Sequence, residues 1–168
     1  MTKVASSPRW QSRRAAVLAL ALQMVERRAA LANVRVEPSL APDLPLILGG
    51  RLGLEQVLIN LLINACDAYA SSHIALADRR VCIAAEPQDD TVVITVRDWA
   101  GGIPATLLPR IFEPFVTTKA PGKGTGMGLA VCLRMINTMG GTLDVASSNG
   151  STCFVITLPV AEVPDDTP

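Results

Sequence analysis

The sequence carries no net charge, no cysteine pair of the C-x-x-C type and no apolar run long enough to cross a membrane. Its 15 lysines and arginines balance 15 aspartates and glutamates, so the chain as a whole does not attract polyanions, and nucleic acid is not expected as a partner. Every apolar run is shorter than the ~20 residues of a membrane helix, which predicts no membrane contact by this fragment. Any phosphate site therefore has to be local.

The cysteines are few and scattered. Cys66, Cys82, Cys132 and Cys153 lie among apolar neighbours, which predicts buried, reduced thiols in a cytoplasmic protein rather than disulfides. The opening stretch RRAAVLALALQMVE is similar to a short signal sequence, but its apolar positions continue with helical spacing as far as Ala29. We therefore expect an amphipathic first helix and not a targeting segment.

The order of the secondary-structure signals predicts the fold. We expect a disordered or expression-derived lead over residues 1–11, one domain over 12–160 and a frayed tail over 161–168. Periodicity predicts helices at about 12–32, 51–72 and 125–139, and β-rich segments predict the strands NVRVEP, RRVCIAAE, TVVITVRD, TLDVASS and STCFVITLP. This order predicts an α/β fold: a two-layer α/β sandwich whose mixed, mostly antiparallel sheet carries about three helices on one face.

The stretch EQVLINLLINACDAYA places two asparagines in an apolar helix. Asn60 and Asn64 are four residues apart and lie on one helical face, about 40° apart around the axis, and Gln56 precedes them by one turn. Asparagine is a poor residue for a helix interior, so something has to satisfy these amides. An amide oxygen is a hard ligand suited to Mg²⁺; the alternative is a buried pair that bonds only to itself or to water.

Two glycine-rich loops are the other candidate sites. Asp98 ends a strand beside Gly101 and Gly102, where a carboxylate can accept from a ligand amino group and glycine lets a flat ligand approach; ordinary turn residues are the alternative. The second loop has Gly122, Gly124, Gly126 and Gly128 before an amphipathic helix, with Lys119 and Lys123 nearby. It suits an anion at a helix N-terminus, although it is not a Walker A loop; a flexible surface loop is the alternative.

Five motifs occur together in a characteristic order. NLLINACDA, DWAGGIP, IFEPFVTTK, GTGMGLA and GSTCFVITLP resemble the N, G1, F, G2 and C-terminal glycine boxes of the ATP-binding catalytic domain of sensor histidine kinases. That family belongs to the gyrase, Hsp90, histidine kinase and MutL superfamily. The resemblance covers about residues 12–160 and implies ATP and Mg²⁺ (magnesium) as cofactors.

The resemblance implies a role for each matching residue. Asn64 is expected to coordinate Mg²⁺, Asn60 to lie near the phosphates, Asp98 to accept the adenine amine and Gly102 to let the chain pass close to the purine. Asn60 and Lys119 are the implied catalytic residues. The implied nucleotide-binding set is Asn60, Asn64, Asp98, Gly102, Ile103, Phe112, Phe115, Thr118, Lys119, Lys123, Gly124, Thr125, Gly126, Met127, Gly128, Leu129 and Thr152. Among these, Phe112 and Phe115 would anchor a lid that includes Thr118 and Lys119.

Three positions depart from the pattern of this family. Trp99 follows the aspartate where Asn is usual, which removes an amide near the phosphates and adds a large ring that could stack on a ligand or pack under the lid. Ala100 stands where Gly is frequent, a mild change. Gly50 precedes the asparagine-bearing helix where an acidic residue is common, which predicts the loss of a helix cap.

The type of reaction follows from Asn60. Gyrase-like relatives use a glutamate there as a base, and an asparagine side chain has no basic site, so transfer of the ATP γ-phosphate to a histidine is expected rather than efficient hydrolysis. The one histidine, His73, does not match a phosphoacceptor motif and is expected at the surface or at a helix end.

The acceptor would therefore lie on a separate dimerisation domain, in the same parent chain or in trans, with a response regulator downstream. The resemblance implies a cytoplasmic domain, within a free or a membrane-anchored parent chain. The alternatives are a degenerate nucleotide-binding module without phosphotransfer, an anti-sigma-type Ser/Thr kinase and a weak ATPase of the same superfamily.

Overall fold

Five strands form one sheet in the part of the chain that the structure describes. A computed structural model describes residues 16–47, 50–117, 119 and 124–161. The strands are β1 (Arg35–Leu40), β2 (Arg80–Gln88), β3 (Thr91–Asp98), β4 (Thr142–Ser148) and β5 (Ser151–Pro159). Their order across the sheet is β1-β2-β3-β5-β4, with β1 parallel to β2 and every other neighbouring pair antiparallel.

Three α-helices are present among the described residues: α1 (Ala16–Leu31), α2 (Arg51–Ala68) and α3 (Gly128–Thr138). Short 3₁₀ turns lie at Tyr69–Ser71, Leu76–Asp78 and Leu108–Arg110. In these ranges no helix is both long and apolar enough to cross a membrane. Helix α2 packs between α1 and α3 and lies over β2 and β3, while α3 lies over β4.

The core fills the space between the helices and the sheet. Alternate residues of the central strands point into it, because successive side chains of a strand face opposite sides of a sheet. From the helices come the most deeply buried residues of α1 and α2, including Val25, Leu58 and Leu62. The same alternation places Asp98 on this inner face at the end of β3, opposite Thr152 of β5, and both residues are 5% exposed.

The predicted fold class is confirmed. The element order α-β-α-β-β-α-β-β is present, and Asn149 and Gly150, at φ 50° and 75°, form the predicted β4–β5 hairpin turn. Gly50 precedes α2 without a side-chain cap, as predicted. Helix α2 ends at Ala68 and a 3₁₀ turn continues it to Ser71. The expected lead over residues 1–11 and nearly all of the expected tail lie outside the described residues.

Candidate functional site

The two asparagines of α2 are half-buried and belong to one hydrogen-bonded row. Asn64 donates from Nδ2 to Oδ1 of Asn60 at 3.4 Å, and Asn60 donates from its own Nδ2 to Sγ of Cys132 at 3.3 Å. Burial raises the pKa of the Cys132 thiol to about 11 although the bond from Asn60 acts against the rise, so the thiol is neutral at pH 7. The amides are thus satisfied by one another and by a sulfur on α3.

The N-terminus of α3 lies directly against this row. Helix α3 begins at Gly128, and a Cβ atom added there would come within 2.8 Å of Nδ2 of Asn60. No side chain caps this end of the helix among the described residues, so N–H groups of its first turn are available to an anion. Glycine at this position therefore allows the amide of Asn60 and the positive end of α3 to meet.

Lys119 brings a positive charge to the other end of the row. Its Nζ donates to Oδ1 of Asn64 at 3.2 Å and to Oδ2 of Asp67 at 2.8 Å. Asp67 also accepts from Arg28 of α1. Partial burial acts to raise the pKa of Asp67, but the hydrogen bonds from Lys119 and Arg28 outweigh it and hold that pKa below its ordinary value.

Asp98 is a buried carboxyl group at the end of β3. Desolvation raises its pKa from 3.8 to about 6, although the N–H of Ala100, which donates to Oδ1 at 3.0 Å, acts in the opposite direction. Burial raises the pKa of Cys66, two positions beyond Asn64 on α2, to about 11, and the nearby charges of Asp67 and Asp98 add to the rise. Asp98 is therefore a poised acceptor facing the same helix that carries the asparagines.

The loop after Asp98 is held by the β4–β5 hairpin. Gly102 has a φ of 78°, and a Cβ atom there would lie 2.9 Å from Oγ of Ser147. Ser147 accepts a hydrogen bond from the N–H of Ile103 at 2.7 Å and donates to the carbonyl of Ser151 at 3.0 Å. The N–H of Gly101 donates to the carbonyl of Gly150. The shape of this loop thus depends on a residue of another element, Ser147.

Tyr69 fixes the beginning of the same loop. Its hydroxyl donates to the carbonyl of Arg80 at 2.6 Å and accepts from the N–H of Trp99 at 3.1 Å. The guanidinium of Arg80 lies over the Trp99 ring, 4.3 Å from its centroid. The structure thus places the Trp99 ring against the first residue of β2, where it makes a cation–π contact.

We use the name lid segment for residues 111–127, the stretch predicted to form a lid, of which the structure describes 111–117, 119 and 124–127. Its two phenylalanines make different contacts. Phe112 packs edge-to-face on Phe154 with ring centroids 6.4 Å apart. The ring of Phe115 is exposed, but its backbone, at φ 68°, donates an N–H to the carbonyl of Gly126 at 3.0 Å. A Cβ atom at Gly126 would lie 2.6 Å from Cα of Phe115, so this contact requires glycine.

The expected site residues fall into two groups, one around the asparagines of α2 and one around the end of β3. One group contains Asn60, Asn64, Lys119, Gly124, Gly126 and Gly128. The other contains Asp98, Gly102, Ile103, Phe112 and Thr152. Helix α2 carries the asparagines of the first group and faces Asp98 of the second.

The remaining expected residues belong to neither group. Leu129 packs on the core. The hydroxyl of Thr125 accepts a hydrogen bond from the N–H of Met127, and the side chain of Met127 is partly exposed. Thr118 and Lys123 lie outside the described residues. His73 is exposed after the 3₁₀ turn that follows α2.

Sequence reasoning missed four residues that organise the site: Arg28, Asp67, Tyr69 and Ser147. Asp67 carried a usable signal, because it lies three positions after Asn64 on the same helical face. The other three act through contacts distant in sequence, which no local pattern encodes.

Comparison with protein families and curated proteins gives one consistent result. Residues 49–162 match the family described as histidine kinase-, DNA gyrase B- and HSP90-like ATPases. The chain is 46% identical over 124 residues to the two-component sensor PprA of Pseudomonas aeruginosa, covering 72% of this chain and 13% of that protein. It is 33% identical over 140 residues to the sensory histidine kinase/phosphatase NtrB of Rhizobium leguminosarum, covering 77% of this chain and 36% of that protein. The chain thus spans well under half the length of these relatives.

Solved structures show the same fold. The catalytic domain of histidine kinase ThkA superposes with a TM-score of 0.73 at 26% identity, covering 88% of this chain and 94% of that one. Full-length ShkA in complex with AMPPNP superposes with a TM-score of 0.73 at 27% identity, covering 89% of this chain and 31% of that one.

Proposed function

The chain belongs to the family of histidine kinase-, DNA gyrase B- and HSP90-like ATPases as a catalytic domain of the two-component histidine kinase type, and from that premise we propose that it transfers the γ-phosphate of ATP to a histidine on a separate helical hairpin. One observation carries the proposal. The hydrogen-bonded asparagines, Asn60 and Asn64, lie between the ammonium group of Lys119 and the uncapped N-terminus of α3. This arrangement combines a positive charge, neutral amides and free N–H groups, which suit a phosphate chain, and it includes no carboxylate at the position of Asn60.

Adenine recognition falls to the group around the end of β3. Ionised Asp98 accepts from the exocyclic amine and repels the O6 of guanine, so the site selects ATP over GTP. Gly102 keeps the backbone close to the purine, and Thr152, opposite Asp98, adds a hydroxyl. This assignment follows from the burial of Asp98, because a buried carboxylate that accepts from few protein groups has capacity left for a ligand donor.

Mg²⁺ fits the donors that are present near the row. Asn64 offers an amide oxygen, a hard ligand of the kind that Mg²⁺ accepts when phosphate oxygens and water supply the remaining positions. The Nζ of Lys119, now bonded to that oxygen, is a flexible cation able to move to a phosphate. The ion, when bound, neutralises charge on the transferring phosphoryl group.

The chain's own part in transfer is positioning and charge neutralisation. The bond between the γ-phosphorus and the oxygen of ADP breaks, and a bond to a ring nitrogen of the acceptor histidine forms. A neutral imidazole attacks with its own electron pair, so no side chain of this domain has to remove a proton first. Lys119 and the N–H groups of α3 stabilise the charge on the phosphate, and Asn60, which is no base, leaves water unactivated.

The setting follows from the same proposal. The ATP-binding domain spans residues 12–160 of a longer cytoplasmic or membrane-anchored sensor kinase, and the domain itself works in the cytoplasm. The acceptor hairpin and a response regulator are its partners.

The test is phosphotransfer from radiolabelled ATP. The chain alone is expected to bind Mg-ATP but to form little acid-labile, base-stable phosphohistidine, with or without His73→Ala. Adding the natural phosphoacceptor hairpin, in trans or by fusion, should label the hairpin histidine. Strong labelling of the isolated chain that disappears in His73→Ala would contradict the proposal.

A second candidate, a nucleotide-binding module without chemistry, is favoured by one observation. Trp99 replaces the usual amide, and its ring packs on Arg80, so no amide is supplied at this position. The same assay separates the two: tight ATP binding without labelling of the natural hairpin supports the second candidate. Trp99→Asn should then restore labelling.

A further inference from the structure

One carboxylate joins three separate parts of the chain. Oδ1 of Asp67 accepts from Nε and Nη2 of Arg28 at 2.8 and 2.5 Å, and Oδ2 accepts from Nζ of Lys119 at 2.8 Å. Arg28 belongs to the last turn of α1, Asp67 to the last turn of α2 and Lys119 to the lid segment. These three residues form an ion-pair chain that runs from the first helix to the edge of the candidate phosphate site.

The central member of the ion-pair chain is shielded from water. The side chain of Asp67 is 16% exposed, against 54% for Arg28 and 32% for Lys119. The pair of Arg110 with Glu113 is more open, with both side chains above half exposed. Because shielding strengthens charge interactions, Asp67 holds its partners more firmly than an exposed carboxylate could.

The position of the Lys119 ammonium is set by two acceptors on one face of α2. Asn64 and Asp67 are three residues apart and both accept from Nζ. Only Asp67 carries charge, so it supplies most of the attraction. Arg28 contacts the other oxygen of the carboxylate through two nitrogens, which fixes the rotation of the Asp67 side chain and directs Oδ2 toward Lys119.

We propose that Asp67 is a positioning residue that holds Lys119 beside Asn64, and that Arg28 makes this hold depend on helix α1 by orienting the same carboxylate. The effect on phosphoryl transfer rests on the proposed function, whereas the positioning of Lys119 by Asp67 does not depend on it. Movement of α1 relative to α2 would then change where a charge of the phosphate site lies.

The first measurement needs no nucleotide. Lys119 and Lys123 are acetylated with limiting N-hydroxysuccinimide acetate, and the ratio of their rates is read by mass spectrometry. A lysine ammonium that is held by two acceptors is less accessible to the reagent and therefore reacts more slowly, so Asp67→Asn, which removes the charged acceptor, should raise the Lys119/Lys123 ratio about threefold. An unchanged ratio overturns the proposal.

The second measurement tests the role of Arg28. Arg28→Gln should raise the ratio less than Asp67→Asn does, and the double variant should match Asp67→Asn alone, because Arg28 acts only through Asp67. Independent, additive effects overturn the link to α1. Arg35→Gln is the matched control: it breaks another arginine–carboxylate pair, with Glu37 on β1, and should leave the ratio unchanged.

The salt dependence of the acetylation ratio and the kinetics of phosphotransfer are two further measurements. In the wild type, 1 M salt should raise the ratio by screening the pair; if Asp67→Asn does not fold, a ratio that ignores salt overturns the proposal. With the acceptor hairpin, Asp67→Asn should lower kcat about fivefold with KM for ATP nearly unchanged, and Asp67→Glu should restore part of it. Absence of transfer in the wild type counts against the proposed function, while the acetylation ratio still decides the hold on Lys119.

Discussion

Asp98 is a carboxyl group buried at the end of β3, where it accepts a hydrogen bond from the N–H of Ala100. Its pKa of about 6, set mainly by desolvation, means that a modest change in pH alters its charge. The asparagines of α2, in contrast, stay neutral at every pH and offer oxygens whose orientation the row fixes. Residue chemistry therefore separates the titrating carboxyl group of Asp98, the proposed adenine acceptor, from the proposed phosphate site, whose amides do not titrate.

The first prediction concerns Asp98 and nucleotide affinity. A charge-assisted hydrogen bond is worth roughly 1.5–3 kcal/mol, so Asp98→Ala should weaken ATP binding about ten- to a hundredfold. The pKa is raised, so the carboxylate is lost as the pH falls through about 6, and wild-type affinity should fall there. Isothermal titration calorimetry at pH 5 to 8 checks this.

The variant also serves as the control for that titration. Protonation of ATP itself affects both proteins equally, so only the difference between wild type and Asp98→Ala reports Asp98. Equal affinities for ATP and GTP in the wild type, or a difference that does not shrink below pH 6, would contradict the assignment.

The second prediction concerns Asn64 and Mg²⁺. Asn64→Ala should reduce the gain in ATP affinity on adding Mg²⁺ much more than it lowers the melting temperature without ligand. Asn60→Ala should impair phosphotransfer more than binding. Calorimetry with and without Mg²⁺, together with thermal melts, distinguishes these effects; an Asn64→Ala protein that is simply unfolded would favour a structural role for the amide.

At the element scale, local patterns predicted most of the fold. Helical periodicity located α1, α2 and α3, and the Asn149-Gly150 turn located the β4–β5 hairpin because only a few residues tolerate positive φ there. The parallel pairing of β1 with β2 and the hold of Ser147 on the loop at Gly102 were not predicted. The strand pairing and the Ser147 contact both depend on segments distant in sequence, and the sequence of an edge strand does not indicate which strand it pairs with.

The same limit applies to the candidate site. Asn60, Asn64, Asp98 and the glycines could be chosen because each belongs to a motif. The contact of Lys119 with Asp67 could not be predicted, because it joins positions more than 50 residues apart in the sequence. The partner of the Trp99 ring, Arg80, was hidden for the same reason.

The third prediction concerns Ser147, which holds the loop at Gly102 that we propose binds adenine. Ser147→Ala removes the acceptor for the N–H of Ile103 and should cost about 1 kcal/mol of folding stability, with a several-fold loss of ATP affinity as the loop relaxes. Ser148→Ala is the matched control, since the adjacent hydroxyl is exposed. Chemical denaturation and calorimetry measure both effects; equal behaviour of the two variants would show that Ser147 does not shape the loop.

At the scale of the whole molecule, the domain is larger than the stretch matched by the family model. That match begins at residue 49, yet α1 and β1 precede it and are structurally integrated. Helix α1 buries Leu18, Ala21, Val25 and Ala29 in the common core, and β1 covers the edge of β2. The folding unit therefore includes the first helix.

The fourth prediction tests this boundary. Burying a leucine or valine side chain is worth about 1.5–3 kcal/mol, so a fragment of residues 49–162 should lose much of the roughly 5–15 kcal/mol that stabilises a typical domain. Circular dichroism melts should show no cooperative transition for it. A fragment of residues 12–162 is the control, and similar melting temperatures for the two would place α1 outside the folding unit.

The N–H of Phe115 donates to the carbonyl of Gly126, so these two residues close a loop in the chain that contains Lys119. In polymer terms, the entropy of closing such a loop grows slowly, and doubling its length costs only ~0.6 kcal/mol. Added residues would therefore hardly affect folding. They would instead lower the effective concentration of Lys119 near Asn64 and Asp67, so under the proposed function the length of this loop would set the rate of phosphotransfer independently of the stability of the domain.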